Sequence, residues 1–83
     1  MPYYVYILLC EDGSYYTGYA KDLEPRVRQH MKGIGPRYTR LRKPKRLVYK
    51  EEFDTRREAM KREMQIKKMS HKRKQELVSS LLV

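Results

Sequence analysis

The sequence predicts an α+β fold, in which one small three-stranded antiparallel sheet has helices packed around it. Two stretches near the N-terminus, residues 3–10 and 14–19, are rich in tyrosine and β-branched residues, which is the composition of strands. A third stretch, residues 46–53, shows the period-two alternation of a strand. The remaining segments carry helical spacing and capping residues. With 83 residues, the chain is expected to form a single small domain, residues 1–83.

The segment 11–13 joins the first two strands, and its conformation decides which tyrosines share a face. A two-residue turn would place Tyr6 and Tyr16 on opposite faces of the sheet. A three-residue loop with Gly13 in the left-handed conformation places both on one face, beside Gly18. We favour the three-residue loop because it leaves room for a ligand next to the two phenols. Tyrosines that only pack and hydrogen-bond at a wet sheet surface would give the same composition.

A first helix is predicted over residues 23–32, between the N-cap Asp22 and Gly33, which ends the helix by taking a left-handed conformation. Arg26 and His30 are four residues apart and lie beside the apolar stripe of this helix. The stripe consists of Leu23, Val27 and Met31. An arginine and a histidine in these places are also typical of residues that lie at the boundary between a buried helix face and solvent and have no role in a site.

A basic segment follows the breaker 33–36. It reads as a loop or a short helix that Pro44 ends. Cations around one tyrosine suit contact with phosphates and stacking on bases. The predicted nucleic-acid-binding residues are Arg37, Tyr38, Arg40, Arg42, Lys43 and Lys45. A solvated basic loop would look the same. In the third strand, Leu47, Tyr49, Glu51 and Phe53 are predicted to share one face.

A second long helix is predicted from the capping box at Thr55 to about residue 69. Its broad inner face holds Glu63 together with Ala59, Met60, Met64, Ile66 and Lys67. Burying an unpaired carboxylate is costly, so Glu63 needs a cation, a hydrogen-bond donor or a metal. A salt bridge to Arg26, Arg62 or Lys67 would satisfy it as well.

A last helix is predicted from Lys72 to about Leu82, with Ser70 as its cap. It is expected to dock through an apolar edge made of Leu77, Val78, Leu81 and Leu82.

The composition points to an anionic partner. Twenty lysines and arginines stand against ten acidic residues, a net charge of +10. Nucleic acid is the simplest such partner, an anionic membrane surface is less favoured, and charge that only confers solubility is the third interpretation. The lone Cys10 excludes an internal disulfide and a cysteine-rich zinc site. With no signal peptide or bilayer-spanning run visible, we expect a cytoplasmic protein without a membrane partner, monomeric by default.

Two motifs and their spacing resemble a known family. Tyr4-Val5-Tyr6 followed by Tyr16-Thr17-Gly18 resembles the paired motif of the GIY-YIG nucleases. The resemblance continues through Arg26 and His30, at the family's Arg-x-x-x-His spacing, to Glu63, and it covers the whole chain. The chain is similar to the small stand-alone bacterial members and to the GIY-YIG nuclease domain of the excinuclease. It departs from the family pattern at Tyr4, Thr17 and Pro25.

The resemblance implies a metal-dependent endonuclease that hydrolyses phosphodiester bonds in DNA, in DNA repair or recombination. Tyr6 or Tyr16 would act as general base if nearby cations lower its pKa. Arg26 would contact the phosphate, and His30 would orient a tyrosine or carry a proton. Glu63 would hold one Mg²⁺ or Mn²⁺. A non-catalytic nucleic-acid-binding module and a protein-interaction domain are the alternatives.

Overall fold

The computed structural model describes residues 2–80. Its elements in chain order are β1 (Tyr3–Cys10), β2 (Tyr15–Ala20), α1 (Leu23–Met31), α2 (Arg37–Arg42), β3 (Pro44–Phe53), α3 (Arg56–Lys67) and α4 (His71–Ser79). The strands form one antiparallel sheet in the order β2-β1-β3, so β1 is central and β2 lies at an edge. The predicted α+β fold is confirmed, and the basic segment is a short helix.

The hairpin contains the three-residue loop that the sequence predicts. The Gly13 amide donates to the Cys10 carbonyl at 3.0 Å, and Gly13 has a φ of 85°, where glycine is favoured because it has no Cβ. Tyr6 lies directly opposite Gly18, and Tyr16 therefore points to the same face as Tyr6. The shared face of the two tyrosines is confirmed.

Helices cover both faces of the sheet. On one face, Val5 and Ile7 pack against Ala59 and Ile66 of α3, all of them fully buried. On the other face, Tyr6 and Leu8 pack beneath Leu23 and Val27 of α1. Each face therefore has its own apolar cluster, and the tyrosine face is the one that α1 covers.

A β-bulge changes the faces of β3. Tyr49 is paired with Ile7, whereas Leu47 is paired with Leu8, and the register shifts between these two pairs. Ile7 and Leu8 point to opposite faces, so the extra residue, Val48, moves Leu47 to the face opposite Tyr49. The prediction that Leu47 and Tyr49 share a face is wrong. Strict alternation cannot reveal an inserted residue.

Helix α1 ends at Met31, one residue earlier than predicted, and Gly33 follows with a φ of 78°. Met31 is 42% exposed and is not part of the core. His30 takes the buried place instead, with 1% of its surface exposed. The apolar stripe of α1 is therefore shorter than predicted, and a polar side chain occupies its last turn.

Helix α3 ends at Lys67 rather than near residue 69, and its buried face is narrower than predicted. Met60 and Met64 are 39% and 56% exposed, while Ala59 and Ile66 are fully buried. The Thr55 cap is confirmed, since its hydroxyl accepts from the Glu58 amide at 3.2 Å.

Helix α4 begins at His71, one residue before the predicted start, after the Ser70 cap. Leu77 and Val78 dock on the body of the protein, as predicted, and they do so on the α3 side of the sheet. Leu81 and Leu82 lie outside the described residues. His71 stacks on Tyr15 of the hairpin, with the ring centroids 4.9 Å apart.

The lone cysteine, Cys10, lies in β1 and is 1% exposed. Within residues 2–80, no helix has the length and apolar character needed to cross a bilayer.

Thr17 gives a first prediction about stability. Its side chain points to the face opposite the two tyrosines, is 3% exposed, and its hydroxyl has no hydrogen-bond partner among the described residues. Replacing a buried, unsatisfied hydroxyl with a methyl group removes a desolvation cost, so Thr17→Val should raise the free energy of unfolding by about 1 kcal/mol. Urea denaturation measures the change. Thr17→Ser keeps the hydroxyl and should destabilise, and a destabilised Thr17→Val would show that the hydroxyl has a partner.

Candidate active site

Two phenols form the floor of the site. Tyr6 of β1 and Tyr16 of β2 have ring centroids 6.3 Å apart. Tyr6 is 1% exposed, and Tyr16 is half-buried. The end of the Tyr6 ring lies over Gly18, where an added Cβ would be 2.6 Å from the Tyr6 Oη. Glycine is needed here because its lack of a side chain lets the ring cross the edge strand.

A chain of hydrogen bonds runs from Tyr6 into the protein. Tyr6 Oη and His30 Nε2 are 2.8 Å apart, and His30 Nδ1 and Thr39 Oγ1 are 2.9 Å apart. The Thr39 hydroxyl also donates to the Pro36 carbonyl at 3.1 Å. His30 and Thr39 are each 1% exposed. His30 therefore joins α1 to the first tyrosine and is no boundary residue. Thr39 was not among the predicted site residues.

Arg26 and Glu63 act on both phenols through their charges. Burial is the main cause that raises the pKa of Tyr6 and of Tyr16 above the ordinary value. The negative charge of Glu63 raises both pKa values further, and the positive charge of Arg26 lowers them. Both predicted residues thus lie close enough to influence the tyrosine pair. Arg26 alone does not outweigh burial, so the raised pKa values favour the neutral form of both phenols in the protein by itself.

Glu63 has the ion-pair partner that one of the alternatives predicted. Its carboxylate is 3.6 Å from Lys67 Nζ, one turn further along α3. The Glu63 side chain is 15% exposed, and that of Lys67 is 52% exposed. Arg62, another of the predicted partners, pairs with Glu51 at 3.1 Å instead. Because Lys67 is largely in solvent, its side chain can move away from the carboxylate with little loss of packing.

The donor set at Glu63 fits a hard divalent cation that a substrate helps to hold. Within residues 2–80 there is no group of three or more histidine, cysteine or acidic side chains that could enclose a metal. Mg²⁺ binds well through one or two carboxylates when waters and substrate phosphates complete its shell. Glu63 could hold Mg²⁺ or Mn²⁺ in that manner.

The basic helix α2 lies next to the tyrosine pair. The Tyr38 ring is 5.7 Å from the Tyr16 ring, and the Arg42 guanidinium lies over Tyr38 at 4.8 Å. Arg42 also pairs with Asp12 at 2.6 Å. Hydrogen bonds from Ser14 and from Arg42 lower the pKa of Asp12 to about 2. Arg42 is therefore engaged with the hairpin, although its side chain is 49% exposed. The other predicted cations are exposed as well, namely Arg37 and Arg40 of α2, Lys43 after it, and Lys45 of β3.

A cleft that the sequence did not predict lies between α1 and the sheet. It has a volume of about 600 Å³ and is bordered by Tyr4 and by Lys50, which is paired with Tyr6 across β1 and β3. Its apolar wall consists of Leu23, Val27 and Leu47. Tyr4, the residue in place of the motif glycine, lines this space. The β-bulge turns Leu47 toward α1, so the alternation of residues in β3 could not predict that Leu47 would line this cleft.

The chain forms a small α+β domain with a tyrosine–histidine cluster on the sheet face that α1 covers. The charges of an arginine on α1 and a glutamate on α3 reach this cluster. A family model described as the GIY-YIG catalytic domain matches residues 2–76. The chain therefore belongs to the GIY-YIG family.

Relatives of known sequence are small bacterial proteins. A UPF0213 protein of Staphylococcus saprophyticus is 53% identical over 77 residues, which cover 93% of this chain and 94% of that protein. A UPF0213 protein of Staphylococcus aureus is 49% identical over 76 residues, 92% of this chain and 93% of that one. The match thus spans nearly the whole length of these relatives, and their names state no activity.

Two solution NMR structures resemble the fold. The UPF0213 protein of Bacillus halodurans has a TM-score of 0.61 and 48% identity, and the match covers 95% of this chain and 84% of that one. A protein of E. faecalis has a TM-score of 0.65 and 38% identity, with 98% and 86% covered.

Proposed function

We propose that the protein is a metal-dependent endonuclease that hydrolyses phosphodiester bonds in DNA. The observation that carries this proposal is the buried hydrogen bond between Tyr6 and His30, with the charges of Arg26 and Glu63 acting beside it. Membership of the GIY-YIG family supports the nuclease class. The resemblance of the Tyr4-Val5-Tyr6 and Tyr16-Thr17-Gly18 motifs to those of the excinuclease's nuclease domain is the reason for placing this activity in cytoplasmic DNA repair or recombination.

The DNA backbone would be held by exposed cations. Arg26 is exposed on α1, and its guanidinium offers a planar pair of donors that matches two phosphate oxygens. Helix α2, which lies beside Tyr16, adds further exposed cations, and its Tyr38 offers a ring on which a base can stack. These contacts would place a phosphate over the tyrosine pair and help to neutralise its developing charge.

Tyr6 is assigned the role of general base. Its hydroxyl is hydrogen-bonded to His30, so the proton that Tyr6 must give up has an acceptor 2.8 Å away inside the protein. The attacking water would pass a proton to Tyr6 Oη as Tyr6 passes its own proton to His30 Nε2. Tyr16 is the more accessible phenol and would contact the phosphate or the water from the edge strand.

Glu63 would hold one Mg²⁺ or Mn²⁺, which when bound supplies positive charge at the phosphate and lowers the pKa of neighbouring acids. The protein's own part is to present the Glu63 carboxylate in a place where its charge already reaches both tyrosines. A cation there would lower the pKa of both phenols, as the charge of Arg26 does, and would so oppose the effect of burial.

A non-catalytic nucleic-acid-binding module is the second candidate, favoured by one observation. Burial raises the pKa of both phenols in the protein alone, which opposes base catalysis. Such a module would keep the basic surface of α2 and bind DNA with or without a divalent metal.

A cleavage screen separates the candidates. Branched, nicked and linear DNAs are incubated with Mg²⁺, Mn²⁺ or a chelator, and we expect cutting only with metal. Binding is measured over a salt series in parallel, and Arg37→Gln and Arg40→Gln should each reduce the slope of log K against log salt by about 1.

The matched control for this screen is Arg57→Gln, which removes an exposed cation from α3 on the other face of the sheet and should leave the slope unchanged. Salt-dependent binding without cutting in either metal would support the binding module. Neither binding nor cutting would support a protein-interaction domain.

A further inference from the structure

We propose that Thr39 is a positioning residue that fixes the tautomer of His30 and thereby turns the lone pairs of the Tyr6 hydroxyl toward the site. This inference rests on the proposed function for its catalytic meaning, while the tautomer itself can be measured without any activity. Thr39 comes from α2 and His30 from α1, so the two meet only in the folded protein.

The Pro36 carbonyl, at the far end of the chain from Tyr6, fixes which group donates and which accepts in each hydrogen bond. A carbonyl oxygen can only accept, and the Pro36 carbonyl accepts from the Thr39 hydroxyl at 3.1 Å and from the Arg40 amide at 3.2 Å. The Thr39 hydroxyl has one hydrogen, and that hydrogen is directed to Pro36. Its oxygen must therefore accept from His30 Nδ1, 2.9 Å away, so Nδ1 carries a hydrogen.

A neutral imidazole has one N–H, so a hydrogen on Nδ1 leaves Nε2 as an acceptor. His30 is 1% exposed. Burial lowers the pKa of His30, and the charge of Arg26 lowers it further, which favours the neutral ring. Gly35 also lies against the Nδ1 side of the ring, where an added Cβ would be 3.4 Å from that nitrogen. Nε2 then accepts the hydrogen of Tyr6 at 2.8 Å.

The polarity of this chain decides what Tyr6 can do. With its O–H directed at His30, the Tyr6 oxygen presents lone pairs to the site and can accept a proton there. With the other tautomer, Nε2–H would donate to Tyr6, and the phenol hydrogen would turn to the site. For a neutral Tyr6 phenol, only the first arrangement suits a general base.

The same polarity sets where the proton stops. When Tyr6 gives its proton to Nε2, His30 becomes an imidazolium whose Nδ1–H still donates to Thr39. The Thr39 hydrogen stays directed to Pro36, so no proton moves beyond His30. Other charged or titratable groups that influence the cluster are Tyr16 of β2, Arg26 of α1 and Glu63 of α3.

The tautomer is tested by NMR of protein labelled with ¹⁵N in its histidines, at a pH above the ordinary histidine pKa of about 6.5. His71, the other histidine, is assigned with a His71→Gln variant. We expect His30 to show a protonated Nδ1 and an unprotonated Nε2. Thr39→Ser keeps the hydroxyl and should keep this pattern, whereas Thr39→Val should move protonation toward Nε2.

Cleavage of the DNA found in the screen gives the second measurement. Thr39→Val should lose about 10- to 100-fold in rate, by analogy with partners that orient metal-ligating histidines, and Thr39→Ser should stay close to wild type. A wild-type His30 with Nε2–H, or a Thr39→Val spectrum unchanged from wild type, would overturn the proposal. If Thr39→Val does not fold, the spectra of wild type and Thr39→Ser decide. A wild type that cuts no DNA yet shows the Nδ1–H tautomer would refute the nuclease and leave the positioning role standing.

Discussion

Glu63→Gln is expected to reduce metal-dependent cleavage by about 10³-fold, which corresponds to about 4 kcal/mol of lost transition-state stabilisation. The amide keeps the shape of the side chain but cannot supply the negative charge that a divalent cation requires. DNA binding should persist, because the cations of α2 and Arg26 are untouched. Single-turnover cleavage rates and binding isotherms, measured on the same substrate, give the two values.

Lys67→Gln is the matched control, since it breaks the same 3.6 Å ion pair from the other side and leaves the carboxylate in place. If Glu63 serves a metal, freeing it from Lys67 should preserve or increase cleavage and lower the Mn²⁺ concentration required. If the ion pair matters only for folding, both variants should lose stability and activity together. Equal cleavage by Glu63→Gln and wild type would refute the metal-ligand assignment.

Local rules predicted the part of the site that the hairpin builds. Gly13 sets the three-residue loop, the loop sets the register, and the register places Tyr6 and Tyr16 on one face. Each step depends on neighbours in sequence, for which steric preferences are strong. The caps at Thr55 and Ser70 were predictable for the same reason.

The departures arise where packing between distant segments decides the outcome. The bulge at Val48 follows from the pairing of β3 with β1, and no residue in β3 indicates it. Met60 and Met64 had the right spacing for a buried face, yet α3 contacts the sheet through Ala59 and Ile66. A helix with apolar residues on more than one side can dock in more than one orientation. Packing against the sheet decides which orientation is adopted.

The buried cluster around His30 was only half predictable. The spacing of Arg26 and His30 suggested a site, but Thr39 lay within a segment that stood out for its cations. Its burial depends on α2 folding back over α1, which the breaker at 33–36 permits but does not dictate. A threonine three residues after a proline that begins a helix was the available signal, because its hydroxyl can reach the proline carbonyl.

Gly18→Ala is expected to displace Tyr6 and abolish cleavage, although it adds only one methyl group. The new Cβ would lie 2.6 Å from Tyr6 Oη, 2.8 Å from Tyr6 Cζ and 3.1 Å from Tyr16 Cε2. Tyr6 cannot move aside freely, because it is 1% exposed and its hydroxyl is bonded to His30. Overpacking of this kind costs about 1–3 kcal/mol of stability, and displacement of Tyr6 breaks its bond to His30, so cleavage should fall close to background.

Gly13→Ala separates lost stability from lost geometry. It adds the same methyl group to the same hairpin, but no atom outside the adjacent residues lies within 4 Å of the new Cβ. Its φ of 85° still makes alanine unfavourable, so this variant should also be destabilised, while its folded fraction should cut at the wild-type rate. Combining Gly18→Ala with Tyr6→Phe removes the closest contact, and the double variant should regain part of the stability without regaining cleavage. Gly18→Ala with wild-type stability and cleavage would show that the Tyr6 ring does not need Gly18 beneath it.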